Sequence, residues 1–249
     1  MNVILTVAES KRLIAKGVAA HPAVKAAMGK GYVVVCKGTT NAYVAEELLG
    51  KSIRKTDYVT GHTMPAVRRG EAGVSPTLGD IVFKDGKVME GVTQTGIVGK
   101  LGPEDVFIKG ANALNYERQQ AGLLVGHHEG GTMGAAIGVL TARSVRLLIP
   151  VGLEKSIPGD LHEVAEYVAE TRRQGGVSPA FWVIDGEIFT ELEAIDVLTG
   201  AEAVAIGAGG IGGAEGAVRL LVTGSPEQVE RTTKLVDEIQ GEAAFLESM

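Results

Sequence analysis

The apolar residues of this chain fall into short runs rich in Val, Ile and Leu, separated by longer stretches with helical spacing. Residues 32–36, Tyr-Val-Val-Val-Cys, lack polar alternation and read as a strand covered on both faces. Residues 80–84, 105–109, 146–151 and 181–184 read as further strands, and Leu123, Leu124 and Val125 form another apolar run. Asp85-Gly86 is a two-residue hairpin signal with a return strand over 87–93. Helical spacing covers 10–28, interrupted at Pro22, and recurs at 42–49, 135–144, 160–173 and 189–198. His21, just before that break, reads as a surface or turn residue. Residues 203–206 and 217–222 are strands. Ser225-Pro226-Glu227 then opens a helix with a stripe of Val229, Thr233, Val236 and Ile239, closed by Gly241. Residues 51–77 are polar and irregular, and Arg68-Arg69-Gly70 within them reads as a solvated loop or an arm reaching an anion.

Strands alternating with helices predict an α/β fold: a Rossmann-like, open, mostly parallel sheet with helices on both faces. The segment 174–179 (QGGVSP) reads as a linker. The β-α-β-β-α order after it matches a split-βαβ unit. The expected division is therefore an α/β metabolite-binding domain at 1–175 and a smaller ferredoxin-like α+β domain at 176–249. The glycine-rich segment 207–216 is expected as a mobile hairpin or a backbone surface for a ligand.

Composition narrows the classes of partner. The 249 residues include 35 glycines and only 4% aromatics, so many tight turns and an aliphatic core are expected. A net charge of −6 argues against nucleic acid, which needs a basic face. The single cysteine, Cys36, excludes an intrachain disulfide, and its apolar strand suggests a small buried residue. Glu9, Lys11 and Arg12 interrupt any signal-like apolar run, and no apolar stretch reaches the roughly 18 residues of a membrane span. A cytoplasmic homo-oligomer without membrane partner, metal or cofactor is expected.

Candidate chemistry lies where strands end in polar turns. Lys37-Gly38-Thr39-Thr40-Asn41 joins a strand to a helix. The unpaired N–H groups of a helix's first turn, together with Gly38, three polar side chains and a lysine, suit a phosphate or carboxylate. The plainer reading is an ordinary turn with Thr40 or Asn41 as helix cap. The strand at 105–109, ending in Lys109, runs into Gly110-Ala111-Asn112, a second polar turn at a strand's carboxyl end, where open α/β sheets bind ligands. Asn112 and Asn115 are either ligand contacts or turn caps. Gly126-His127-His128-Glu129-Gly130-Gly131-Thr132 leads into a helix. Adjacent residues rarely converge on one ion, so a metal is not expected at His127, His128 and Glu129. The Glu129 carboxylate is instead a candidate base or nucleophile, or a solvated loop charge. Lys155 follows the strand at 146–151, near the same sheet edge.

The motifs VVVCKGTTNAYVAEEL, DVFIKGANALN, GHHEGGTMGAA and RLLIPVGLEK, in that order over residues 33–155, resemble the superfamily of ribose-5-phosphate isomerase, glucosamine-6-phosphate deaminase, the CoA transferases and sugar-phosphate-sensing effector domains. The resemblance implies a phosphate-binding turn at Lys37–Asn41. It implies ligand contacts at Lys109, Gly110, Asn112, Gly130, Gly131, Thr132 and Lys155, and a small anionic ligand, a sugar phosphate or a CoA ester. The isomerases' two motif acids are replaced here by Lys109 and Asn112, so an isomerase-like reaction would need Glu129 as its base. A CoA transferase-like enzyme would use Glu129 as an acyl-carrying nucleophile, and a non-catalytic metabolite sensor is the third reading.

Overall fold

The computed structural model describes residues 1–67, 74 and 76–246. Arg68, Arg69 and Gly70 lie outside the described residues.

The chain opens with β1 (Asn2–Leu5) and α1 (Val7–Ala20), where Thr6 and Glu9 form a reciprocal capping box. α2 (Pro22–Gly29) starts on Pro22, with the His21 ring accepting from Ala23 N–H. β2 (Tyr32–Val35) leads to α3 (Thr39–Leu49), which ends on the left-handed Gly50. β3 (Ile81–Lys84) and β4 (Lys87–Val88) form the expected hairpin. Asp85 (φ 49°) and Gly86 (φ 74°) supply the two positive φ angles that a twist-matched two-residue turn needs. Then follow β5 (Val106–Ile108), β6 (Ala113–Asn115), β7 (Gln120–Val125), α4 (Gly131–Ala142) and β8 (Arg146–Pro150). The last third holds α5 (Leu161–Arg173), β9 (Ala180–Ile184), β10 (Glu187–Phe189), α6 (Glu191–Thr199), β11 (Glu202–Ala208), β12 (Val218–Thr223) and α7 (Pro226–Ile239).

These elements make a mixed α/β structure around a six-stranded sheet in the order β10-β8-β5-β2-β3-β4. β10, β8, β5 and β2 run parallel to one another, and the β3–β4 hairpin adds an antiparallel edge. Alternate side chains enter two separate cores. Val33, Val35, Val106, Ile108, Leu148 and Phe189 join one core with α1, α3 and α6. Val34, Phe107, Leu147, Ile149 and Ile188 join the other, with α4 and the small antiparallel sheet β6-β7-β9. Double coverage explains why 32–36 reads as a continuous apolar run. A third sheet, β1-β12-β11, is antiparallel, and the inner face of β12 closes on α7 and the first core.

Residues 176–249 do not form a ferredoxin-like sheet of their own. β9 pairs with β7, β10 pairs with β8 in the central sheet, and β12 pairs with β1 at the opposite end of the chain. Three sheet pairings thus cross the expected boundary at 175. The order of elements is compatible with a split-βαβ unit, but it does not choose strand partners; the apolar faces of residues far away do. β1, β6 and β10 are strands without a strong local signal, and the return strand expected over 87–93 is only β4. α3 and α4 begin earlier than their apolar spacing indicates, so Thr39, Thr40 and Asn41 lie in the first turn of a helix. His21 is buried, at 8% exposure, with Nε2 2.9 Å from the Glu187 carboxylate; it belongs to the interior, not to a surface turn.

Candidate functional site

Because β2, β5, β8 and β10 are parallel, the residues that follow them gather at one end of the sheet. Asn41, in the first turn of α3, bridges two of these strands. Its Nδ2 donates to the carbonyls of Cys36 (2.8 Å) and Ile108 (3.2 Å), joining the ends of β2 and β5. Its Oδ1 is buried and unpartnered, as is the Thr40 hydroxyl beside it. Asn41 Oδ1 lies 4.0 Å from the position a Cβ on Gly110 would occupy, so it points toward the turn after β5. No side chain caps α3: its N-cap is Gly38, in extended backbone, whose N–H donates to the Tyr58 carbonyl (3.0 Å). The uncapped first turn of α3 and two buried, unpartnered polar side chains, Thr40 and Asn41, therefore sit together where β2 ends.

Charge collects beside them. After β5, Lys109 turns back so that Nζ donates to the Gly110 carbonyl (3.2 Å). After β8, the short 3₁₀ turn Leu153–Lys155 brings Lys155 Nζ to the Ala111 carbonyl (2.6 Å). After β10, Glu191 opens α6 with no exposed surface, its carboxylate accepting from Leu153 N–H at 3.0 and 3.3 Å. Lys11 of α1 is buried as well. These groups feel one another. Burial pushes the Lys155 ammonium down to about 8; Glu154 and Glu191 oppose this, and Lys11 and Lys109 add to it. Burial lowers Lys109 and Lys11 in the same direction, opposed by Cys36 and Glu154 respectively. Burial, then the Glu154 charge, raises Glu191 to about 7, against the Leu153 N–H. The cluster therefore holds one amine, Lys155, and one carboxylic acid, Glu191, whose protonation changes close to neutral pH. Glu154 itself folds over Gly152, where a Cβ would lie 1.7 Å from its Oε2, so a side chain at 152 would displace that carboxylate.

The expected site residues divide accordingly. Thr39, Thr40, Asn41, Lys109, Gly110 and Lys155 belong to this end of the sheet. Lys37 is committed elsewhere, with Nζ 3.3 Å from Asp80 and above the Tyr58 ring. Asn112 is exposed, and its Oδ1 accepts from Leu124 N–H (3.0 Å), an internal turn bond. The Asn115 side chain accepts from Arg118 N–H and donates to the Gly159 carbonyl. Glu129 is exposed on the turn after β7, which belongs to the small sheet and not the central one. Its carboxylate has no hydrogen bond or ion pair among the described residues. Gly130 and Gly131 take positive φ angles of 79° and 59° at the start of α4, and Thr132 follows in its first turn. At Gly134, within the same helix, a Cβ would meet the Glu129 carbonyl at 1.8 Å, so that position requires glycine.

A surface groove is lined by His127, His128, Arg172, Val177 and Trp182. Its ionisable residues, His127, His128 and Arg172, are all exposed. Among the described residues no group of three or more His, Cys, Asp or Glu side chains is arranged to hold a metal ion, and no helix is long and apolar enough to cross a membrane. Cys36 is buried with its thiol pushed up to about 12 by desolvation, which makes it an inert core residue.

Sequence reasoning missed Lys11 and Glu191. Lys11 sits inside an amphipathic helix, where a lysine normally faces solvent. Glu191 follows Thr190, whose hydroxyl and N–H bond Glu193 in a capping box, a pattern that marks the true start of α6. That box was the available signal that an acid stands at the helix start, directly after a strand. No protein-family model, curated protein or solved structure matches this chain.

Proposed function

We propose that this protein binds a small anionic, phosphorylated metabolite at the carboxyl ends of β2, β5, β8 and β10, with the sheet read as Rossmann-like. One observation carries the proposal: the uncapped start of α3, Lys109 on the Gly110 carbonyl and Lys155 on the Ala111 carbonyl follow β2, β5 and β8 at the same end of the sheet. The α3 N-terminus suits a phosphate group. Partly buried cations gain from an anion, since an ion pair is stronger away from water. The acid–base groups of an isomerase-like reaction would then be Lys155 and Glu191 rather than the exposed Glu129.

A thermal-shift screen of sugar phosphates, nucleotides and acyl-CoAs tests this. A ligand at a hundred times its Kd should stabilise the fold by about 2.7 kcal/mol. Lys109→Ala should abolish most of that shift. Absence of any shift across the phosphorylated compounds, or a shift indifferent to Lys109→Ala, would refute the proposed site.

A further inference from the structure

We infer that Lys155 is a carbonyl-reactive nucleophile, forming an imine with the aldehyde or ketone of an anionic metabolite held at the same end of the sheet. This rests on the anion-binding proposal for the ligand's charge and adds the functional group that reacts. Three features of position single out Lys155. Its Nζ is fixed 2.6 Å from the Ala111 carbonyl, between the ends of β5 and β8, while the side chain stays partly open to solvent. Lys109 instead folds onto its neighbour's carbonyl, and Lys11 is more deeply enclosed, with its ammonium 5.8 Å from the centre of the Phe245 ring. Two carboxyl groups accompany the Lys155 turn: Glu154 precedes Lys155 on it, and Glu191, at the start of α6, accepts from Leu153 N–H.

The chemistry closes with these groups. The lone pair of neutral Nζ attacks the carbonyl carbon, and the C=O π pair moves to oxygen, which takes up a proton. Nitrogen releases one proton to a carboxylate, giving a carbinolamine. A carboxylic acid then protonates the hydroxyl, which leaves as water, and the C=N bond forms. One water is released for each imine, and no oxidant or reductant is consumed. The protonated imine draws electrons from the adjacent carbon and eases removal of its proton, the step shared by many carbon-acid reactions. Burial brings the Lys155 ammonium down to about 8, so a larger share of Lys155 is neutral at pH 7 than of a solvated lysine.

Reductive trapping is the test. The full chain is incubated with glycolaldehyde phosphate, or with pyruvate as an anion lacking phosphate, in the presence of cyanoborohydride, and adducts are mapped by peptide mass spectrometry. The expected result is one secondary-amine adduct, on Lys155. It should form at least tenfold faster than on an exposed lysine such as Lys51 and be slowed by excess inorganic phosphate. Lys155→Arg, checked for folding by circular dichroism, should give no fast adduct. If that variant fails to fold, the wild-type map decides alone. Adducts spread over surface lysines, or concentrated on Lys11 or Lys109, would overturn the inference. Inorganic phosphate alone, followed by the wild-type melting temperature, reads the anion site separately. A phosphate-induced rise without a fast Lys155 adduct refutes the imine and leaves the anion site standing. A fast Lys155 adduct without any phosphate effect supports the nucleophile and refutes the anion site.

Discussion

Glu191 has the least freedom of any ionisable residue at the site. It has no exposed surface, and a neighbouring acid, Glu154, disfavours its charge. Its folded pKa of about 7 lies above the ordinary value of 4.5, so the folded protein holds a proton that the unfolded chain has released between those two pH values. Stability should therefore fall as pH rises from 4.5 through 7, by an amount on the order of 3 kcal/mol if this group acted alone. Lys155 acts in the next window. Its folded pKa of about 8 is below 10.5, so the unfolded chain binds more protons there and stability recovers as pH rises from 8 to 10.5. Glu191→Gln keeps the shape and removes the first effect. Urea denaturation at pH 5 and pH 7 should show a drop in the wild type that is largely absent from the variant. Equal drops in both would mean that Glu191 is not the group titrating.

At the scale of elements, the site depends on how closely α1 and α6 approach. Gly17 permits that approach: a Cβ there would stand 2.7 Å from Ala194 Cβ and 2.9 Å from Phe189 Cε1. Lys11 lies on the same α1, and Glu191 begins α6, so this contact helps to set their separation. Gly17→Ala gains up to about 1 kcal/mol of helix propensity. Overpacking opposes it by about 1–3 kcal/mol. The expected outcome is a net loss of about 1–2 kcal/mol, measured as a lower urea midpoint with an unchanged slope. A more stable variant would mean that the two helices are not in close contact.

Across the whole molecule, Arg12 ties three distant segments together. Its guanidinium contacts Glu46 (2.6 Å) and Glu47 (2.9 Å) of α3 and Glu242 (2.8 Å) beyond α7, and it stacks 4.9 Å from the centre of the Tyr43 ring. Lys55 adds contacts to Glu46 (3.3 Å) and Glu242 (3.6 Å). Burial alone would raise Glu46, but the Ile53 N–H, Arg12 and Lys55 together hold it below the usual carboxylate value. The stabilisation from Glu46 is thus present above pH 4.5 and is lost as pH falls through its lower folded value. Removing one partner of a largely buried ion pair typically costs about 3–5 kcal/mol. Arg12→Ala should approach that loss at pH 7, with a smaller difference from wild type at pH 3. A difference independent of pH would assign the effect to lost packing on Tyr43 instead.

Local sequence alone determined most of the elements, because their signals lie within a few residues. Asp85-Gly86 specifies a turn through its two positive φ angles, Ser225-Pro226 a helix start, and 32–36 a strand covered twice. It also marked Asn41, Lys109 and Lys155 as residues at strand ends, since parallel strands put their carboxyl ends together. Tertiary structure alone decided that β12 pairs with β1 and β10 with β8. Those choices depend on apolar faces formed by residues far apart in the chain. It also decided that Lys11 and Glu191 belong with Lys109 and Lys155, and that Lys37 and Asn112 are spent on internal bonds. A charged side chain reads in sequence as solvent-facing. Its pKa and reactivity follow from burial and from the charges beside it, which exist only after distant segments have packed.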